Sequence, residues 1–307
     1  MRGTPPAEVD VDEFLVRSLL AAQAPHLAAL PLHSPHNGWD NRTWRLGDDL
    51  AVRLPRRMAA AQLLGHEQRW LGDTALRLPL AIPAPVVVGG PTAGYPWPWS
   101  VVPWFVGEVA ARVALAPEEA TTLGAFLAAL HLPAAADAPA NPYRGVPLDA
   151  RLPRVQHWLA SDHAAADAEL VARAAKLVIN TAAELPDSPE RVWLHGDLHP
   201  RNILVNEGHL AAILDWGDMC GGDPATDLAA VWWLFEVDDH APFWAAYRHK
   251  AEAGSTWHRS RAWAAMFGLM FLHFATAGDP DVADAEAADL GRVMLRRVLQ
   301  HQQPLTN

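Results

Sequence analysis

The chain has 307 residues, 50% of them hydrophobic, which is enough to bury a substantial core in one large domain or two smaller ones. It contains no run of about 18 uncharged apolar residues, as a membrane span would need, and its N-terminus lacks the basic and apolar segments of a secretory signal. A single cysteine permits no internal disulfide, and the net charge of −11 disfavours nucleic acid or an anionic membrane as the main partner. We therefore expect a cytoplasmic protein that binds neither nucleic acid nor a membrane.

The first third of the chain has the pattern of a small β-rich unit. Apolar residues at helical spacing predict one helix after Asp10 and a second over residues 58–75. Gly47-Asp48-Asp49 is typical of a hairpin turn between two strands. Runs of β-forming residues predict strands over residues 29–35, 42–46, 50–54, 85–88 and 99–104.

The pattern changes near residue 104, after which helices dominate. They are predicted over residues 117–131, 165–184, 225–235, 240–251, 257–276 and 282–302. Three short apolar runs, RVWL, NILV and AAIL, predict strands around a polar loop in the middle of this part. A β-rich part followed by a helical part indicates an α+β fold in two lobes. We place the N-terminal domain at residues 1–104 and the C-terminal domain at residues 105–307.

The densest polar segment of the second half is HGDLHPRN, residues 195–202, and LDW follows it with Asp215 at its centre. Because apolar strands flank this loop, its side chains are expected to be held rigidly at a cleft. The side chains of Asp197, Asn202 and Asp215 offer hard oxygen atoms that can bind a metal ion. One of their carboxylates is then left over, because the ion does not need it as a ligand. Phosphoryl transfer needs this set, since the oxygens bind Mg²⁺ and a carboxylate receives the proton of the attacking hydroxyl.

Two other interpretations of the polar loop are open. An Asp-Leu-His-Pro segment can be a structural turn in which the Asp and Asn side chains satisfy backbone groups. His195, Asp197 and His199 also resemble ligands of a transition metal, although no further ligand stands at helical spacing.

HGDLHPRN followed by LDW resembles the signature of the aminoglycoside phosphotransferase family, which shares the protein-kinase fold. The resemblance implies a two-lobed, protein-kinase-like fold, with Asp197 as the catalytic base or the residue that orients the acceptor hydroxyl. It implies that Asn202 and Asp215 bind Mg²⁺. It also implies that Asp227, in GGDPATDLA, braces the catalytic loop.

The same resemblance requires a cation on the third strand and a helical glutamate to hold it. No lysine occurs in residues 1–175, so Arg53 in LAVRLP is the candidate cation and Glu67 its partner. The alternative for Arg53 is an ordinary surface arginine. Since a guanidinium is wider and forked, its contact with phosphate must differ from that of a lysine.

The remaining nucleotide-binding residues follow from the same family. The loop at residues 36–41 stands where a phosphate-covering loop lies, and Asn37 and Gly38 are its candidate contacts. Val102 and Trp104, in the linker VVPWFVG, correspond to the segment that pairs with adenine through backbone groups. A Walker P-loop is excluded, because neither lysine follows the required glycine spacing.

We therefore expect an enzyme that uses ATP (or GTP) and Mg²⁺ to phosphorylate a hydroxyl of a small molecule. Residues 107–307 contain 26 acidic and 15 basic side chains, whereas residues 1–106 are balanced. This excess, with Asp218 and Asp223 near the loop, favours a cationic acceptor such as an aminoglycoside or a macrolide. The alternatives are a metabolic or biosynthetic kinase of a sugar or amino alcohol, and a nucleotide-binding pseudoenzyme.

Overall fold

The computed structural model of the chain describes residues 6–161, 167–185, 191–247, 253–276 and 284–300. The described residues form two compact units. Of the described residues, the first unit contains those up to Val106 together with Ala212–Gly217, and the second contains those of Gly107–Ala211 and those from Asp218 onward. Within the described residues, no helix is both long enough and apolar enough to cross a membrane.

The first unit combines two helices with a five-stranded antiparallel sheet. The helices are α1 (Glu13–Gln23) and α2 (Met58–Ala75). The strands are β1 (His36–Asn37), β2 (Asn41–Leu46), β3 (Leu50–Pro55), β4 (Val87–Gly89) and β5 (Trp99–Pro103), and their order in the sheet is β1-β2-β3-β5-β4. Helix α1 begins at the cap Asp12, whose carboxylate accepts from the Leu15 amide at 2.8 Å.

Strand β3 lies at the centre of this sheet, and its register fixes the position of Arg53. Arg53 stands opposite Thr43 of β2 and Ser100 of β5. The sheet and α1 share one apolar core that contains buried tryptophans, among them Trp44 and Trp99. Arg53 is buried in a strand that has β2 on one side and β5 on the other, so few rotamers are available to its long side chain.

The strand predicted over residues 29–35 is wrong. A 3-10 turn precedes this stretch, Leu32 forms only an isolated bridge, and strand β1 begins at His36. Pro31 and Pro35 explain the difference, because neither has an amide hydrogen to donate to a sheet.

The segment Ala212–Gly217 returns to the first unit late in the chain. Ala212 forms a parallel bridge with Ala81, and the Ile213 amide donates to the Ala81 carbonyl at 3.0 Å. Gly217 lies against Leu63 of α2. Asp215 is therefore part of the first unit, although it lies far from the rest of that unit in sequence.

The second unit is mainly helical. Its helices are α3 (Glu119–Leu130), α4 (Leu152–Ala160), α5 (Ala168–Glu184), α6 (Ala225–Leu228), α7 (Val231–Leu234), α8 (His240–Tyr247), α9 (Ala253–Thr276) and α10 (Ala285–Gln300). Its short strands are β6 (Glu108–Val109), β7 (Val192–Leu194), β8 (Ile203–Asn206) and β10 (Cys220–Gly222), and β9 (His209–Ile213) starts in this unit. Strand β7 pairs with β10, and β8 lies between β6 and β9.

Helix α4 was not predicted, and the single helix expected over residues 225–235 is the two short helices α6 and α7. The ends predicted for three other helices, at residues 165–166, 248–251 and 282–283 with 301–302, lie outside the described residues.

Helices α9 and α10 pack closely because each places a glycine at their contact. A Cβ on Gly268 would stand 2.6 Å from the Leu295 side chain, and a Cβ on Gly291 would stand 2.8 Å from the Leu272 amide nitrogen. A larger residue at either position would push the helices apart, since packed interiors have no room for an added methyl group.

Candidate active site

The loop between β7 and β8 is held by one buried carboxylate. Asp227 of α6 accepts from the amide of His195 at 2.7 Å and from the amide of Gly196 at 2.9 Å. His131, at the end of α3, contacts the same carboxylate at 3.3 Å and the Tyr247 hydroxyl at 2.7 Å. The contact expected between Asp227 and the loop is therefore present, and His131 supports it from the far side.

The backbone of this loop requires glycine at residue 196. Gly196 has a φ of +86°, in the left-handed region that side chains disfavour. A Cβ there would also stand 2.4 Å from the Asp218 carbonyl oxygen. Asp197 follows this turn directly, and its side chain forms polar contacts of its own.

Asp197 has a donor on each carboxylate oxygen. Arg144 Nη2 donates to Oδ1 at 2.7 Å, and His199 Nε2 lies 3.2 Å from Oδ2. His199 Nδ1 accepts from the Arg201 amide at 3.2 Å, so Nε2 carries the proton and donates to Asp197. Asn202 Nδ2 is a second, longer donor to Oδ2 at 3.5 Å, so the free lone pair of Oδ1 leaves the most room for a further donor such as a hydroxyl.

These neighbours keep Asp197 ionised. Burial alone would raise the pKa of this carboxyl group, but the charges and hydrogen bonds of His199 and Arg144 outweigh burial and hold the pKa far below its usual range. A carboxylate with such a low pKa is a weak base in the ground state. Such a group can accept a hydrogen bond from a hydroxyl without taking up its proton.

Asn202 lies at the other end of the loop, in the 3-10 turn Pro200–Asn202. Its Nδ2 donates to the Asp197 carbonyl at 2.9 Å, which leaves its Oδ1 for another partner. The side chain is buried, so the loop fixes both its position and its orientation.

Arg144 was missed by the sequence prediction. It belongs to the segment Asn141–Gly145, which several contacts fix in place. Asn141 donates to the Asp218 carboxylate at 2.6 Å and accepts from the Arg144 amide at 3.1 Å, while the Gly145 amide donates to Thr226 at 3.1 Å. The sequence NPYRG signals a turn, but no local pattern indicates that its arginine reaches Asp197.

In the first unit, Arg53 and Glu67 form the ion pair that was expected. Both side chains are buried, and both guanidinium nitrogens engage the carboxylate, Nη1 to Oε2 and Nη2 to Oε1 at 3.2 Å. Burial alone would lower the pKa of Arg53, but the charges of Glu67 and Asp215 outweigh it and raise that pKa. The alternative of a surface arginine is wrong, because only 8% of Arg53 is exposed.

Asp215 lies 3.8 Å from Arg53 Nη2, and 56% of its side chain is exposed. Its φ of +55° is rare for a residue with a side chain. A strained turn that projects a solvated carboxylate is common at functional sites. The first unit thus joins the buried cation to a carboxylate that can still take a ligand.

Two of the backbone groups expected to bind nucleotide already have partners. The Gly38 amide donates to the Asn41 carbonyl at 2.9 Å, and the Trp104 amide donates to the Asp49 carbonyl at 2.8 Å. Asn37 is exposed in the short strand β1, and Val102 is buried in β5. That these four residues bind nucleotide stays a prediction. The amides of Gly38 and Trp104 could donate to a nucleotide only if their present hydrogen bonds were broken.

The structure gives the nearby acids defined roles as well. Asp223 is buried and pairs with Arg259 at 2.9 Å, so it is a structural residue of the second unit. Asp218 is partly buried and accepts from Asn141. In the described part of the chain, no three His, Cys, Asp or Glu residues gather as a metal cluster would require. This finding gives no support to the transition-metal interpretation of His195, Asp197 and His199.

The comparison with protein families identifies the class of enzyme. The model of the phosphotransferase enzyme family, APH, matches residues 32–263, which is well over half of the chain. The chain belongs to the phosphotransferase enzyme family, and this confirms the resemblance drawn from HGDLHPRN and LDW. By enzyme class, the protein is a small-molecule kinase.

Solved structures show the same kinase-like fold. The GDP and kanamycin complex of APH(2'')-IIIa is 16% identical, with a TM-score of 0.67, and the match covers 94% of this chain and 99% of that one. The macrolide 2'-phosphotransferase MphH from Brachybacterium faecium is 23% identical, with a TM-score of 0.60 and coverage of 91% and 96%. The streptomycin-ATP-APH(2'')-IIa ternary complex is 15% identical, with a TM-score of 0.59 and coverage of 92% and 96%. No curated protein sequence matches the chain.

Proposed function

We propose that this protein transfers the γ-phosphoryl group of ATP or GTP to a hydroxyl group of a small molecule. The observation that carries the proposal is the carboxylate of Asp197, which Arg144 and His199 contact and keep ionised. In the reaction, a bond forms between the acceptor oxygen and the γ-phosphorus while the bond to the β–γ bridging oxygen breaks. Asp197 orients the hydroxyl and receives its proton as the new bond forms.

Nucleotide binding is assigned to the first unit. Similar solved structures are complexes with GDP, ATP or ADP, which supports the assignment. We propose that the guanidinium of Arg53, fixed by Glu67, binds the phosphates of the nucleotide. A forked donor suits phosphate oxygens, and a buried partner reduces the entropy lost on binding.

Amide and carboxylate oxygens are ligands that Mg²⁺ takes in proteins. We propose that the amide oxygen of Asn202 and the carboxylate of Asp215 bind the ion, which neutralises charge on the phosphates when it is present. Magnesium commonly takes one or two protein oxygens and completes its shell with phosphate and water. An Asn202 whose Nδ2 is already engaged presents the oxygen that such an ion needs.

The acceptor is the least constrained part of the proposal. Similar structures include kanamycin, gentamicin and streptomycin complexes and macrolide 2'-phosphotransferases, which makes these antibiotics the first compounds to test. The excess of acidic residues supports a cationic acceptor. However, Asp223 pairs with Arg259, and Glu236 lies 3.3 Å from Arg297. Arginine beside Asp197 favours a second candidate, a metabolic kinase whose acceptor is not a cation.

The experiment is a transfer assay with γ-labelled ATP and GTP against aminoglycosides, macrolides, neutral sugars, amino alcohols and hydroxy acids. Label should move to one class of acceptor, and Asp197→Asn should reduce turnover by a factor on the order of 10² to 10⁴. A variant that keeps more than about a tenth of the turnover would remove Asp197 from the reaction. Nucleotide binding without transfer to any acceptor would instead indicate a pseudoenzyme.

A further inference from the structure

A buried arginine without an acidic partner lies near Arg144, the residue that donates to the Asp197 carboxylate. Arg151 is 7% exposed, and its Nε is buried with no hydrogen-bond partner. Among the described residues, no carboxylate oxygen lies within 4.0 Å of its guanidinium, and no side chain or carbonyl accepts a hydrogen bond from it. Asp149 occupies the same 3-10 turn but is exposed and forms no ion pair with it.

The surroundings of Arg151 are positive. Its guanidinium lies over the ring of Tyr143, 5.3 Å from the centroid, and Tyr143 is itself 53% exposed. Burial, followed by the charges of Arg144 and Arg154, lowers the pKa of Arg151 to about 10, which still leaves it charged at neutral pH. The first turn of α4 follows directly, and the N-terminal end of a helix adds positive potential.

Arg144 connects this positive region to Asp197. It donates to Asp197 at 2.7 Å, and its guanidinium lies over the ring of Phe267 at 4.8 Å. The charge of Asp197 offsets that of Arg144. Arg151 has no such counter-charge among the described residues. Burying an unpaired cation is costly, so such groups are kept mainly where a ligand supplies the opposite charge.

We infer that Arg151, together with Arg144, binds a negatively charged group of the acceptor, a carboxylate or a phosphate, beside the hydroxyl that Asp197 orients. This inference rests on the proposed function, and it names the acceptor as a hydroxy compound that also carries an oxyanion. Arg151 is thereby a specificity-determining residue, while Arg144 links the oxyanion to the position of the reacting hydroxyl. Arginine suits this role because its fork donates two hydrogen bonds to one oxyanion.

The first test measures the anion site without any acceptor. The full-length protein is titrated with sodium sulfate and with sodium acetate, at an ionic strength held constant with sodium chloride, and the arginine Nε–Hε signals are followed by NMR. Arg151→Met assigns the signal of Arg151, and its unbranched apolar side chain fills a similar space. Arg154→Met is the matched control, since it removes an exposed charge one helical turn further along.

The Arg151 signal should shift and saturate, and the affinity for sulfate should fall by about tenfold or more in Arg151→Met while Arg154→Met keeps it. A signal that moves no more than those of exposed arginines would overturn the inference. If Arg151→Met does not fold, Arg151→Lys replaces it, and unchanged sulfate affinity in that variant would count against a forked contact.

The second test uses the acceptor identified by the transfer assay. Arg151→Met should raise the KM of an anionic acceptor by about tenfold or more, with kcat and the KM for ATP nearly unchanged. A higher KM for ATP alone would assign the arginine to the nucleotide and overturn the inference, as would a preferred acceptor that is neutral or cationic. If no compound is phosphorylated, the proposed function fails, and the sulfate titration decides the anion site by itself.

Discussion

Arg53 of strand β3 and Glu67 of helix α2 form a two-point ion pair in the interior of the first unit. Protein kinases have a lysine on the corresponding strand. A lysine can follow a moving phosphate with a flexible point charge, whereas this guanidinium is held flat by its partner. The pair therefore sets the direction of its remaining donors before any ligand arrives, which reduces the cost of ordering them on binding.

Glu67→Gln should raise the KM for ATP, because the guanidinium loses the carboxylate that orients it. Arg53→Lys should also raise this KM, since a single ammonium group cannot reproduce a two-point contact; we expect about tenfold in each case. Steady-state kinetics with varied ATP provide the measurement. Glu13→Gln is the control, because it removes an exposed carboxylate of α1 and should leave the KM unchanged.

Asp215→Ala should weaken the binding of magnesium-nucleotide, because it removes a carboxylate ligand. It should cost only about 1 kcal/mol of stability, since the side chain is 56% exposed but alanine tolerates the positive φ of residue 215 less well than aspartate. Calorimetric titration with a non-hydrolysable ATP analogue, with and without Mg²⁺, separates the two contributions. Only the magnesium-dependent part should fall. Asp48→Ala removes an equally charged, exposed residue of the β2–β3 turn and serves as the control; if both variants bind alike, Asp215 is not a metal ligand.

Gly196→Ala should destabilise the protein by roughly 1–3 kcal/mol, since it forces a side chain into a left-handed backbone and against the Asp218 carbonyl. Turnover should fall with it, because Asp197 follows directly. Gly65→Ala is the matched control: it lies inside α2 with open space around it and should be neutral or stabilising by up to about 1 kcal/mol. Denaturant unfolding compares the two, and equal midpoints would contradict the role of Gly196.

The low pKa of Asp197 gives a pH dependence of stability with a definite sign. An aspartate in an unfolded chain has a pKa of about 3.9, and the folded value lies below it. Stability from this group is therefore fully present above the unfolded pKa and is lost as the pH falls through the folded pKa. Asp197→Asn should lose less stability than the wild type between about pH 5 and pH 3. Urea unfolding across that range is the measurement, and parallel losses would show that Asp197 is not the group responsible.

The parts of the fold and site that the sequence predicts are those with strong local patterns. Amphipathic helices such as α2 and α5, the β2–β3 hairpin and the loop around Asp197 each follow from spacing or from turn residues. The partnership of Arg53 with Glu67 was also accessible through the family resemblance, which requires a cation on this strand, where Arg53 is the only candidate.

Other features depend on contacts between residues that are distant in sequence. Arg144 reaches Asp197 across 53 positions, and Arg151 becomes conspicuous only when its neighbours are known to lack an acid. Nothing in the sequence indicates that the amides of Gly38 and Trp104 donate to the carbonyls of Asn41 and Asp49. Such groups are identified by tertiary packing, which a local pattern does not encode.

The return of residues 212–217 to the first unit has a consequence for synthesis. A nascent chain that has emerged only as far as Val106 contains the whole five-stranded sheet but lacks the segment that bridges Ala81. More than two thirds of the protein must leave the ribosome before the Ala81 carbonyl finds the Ile213 amide. The first unit thus cannot finish folding first, as an N-terminal domain usually does, and its completion waits for residues 107–211 to be translated.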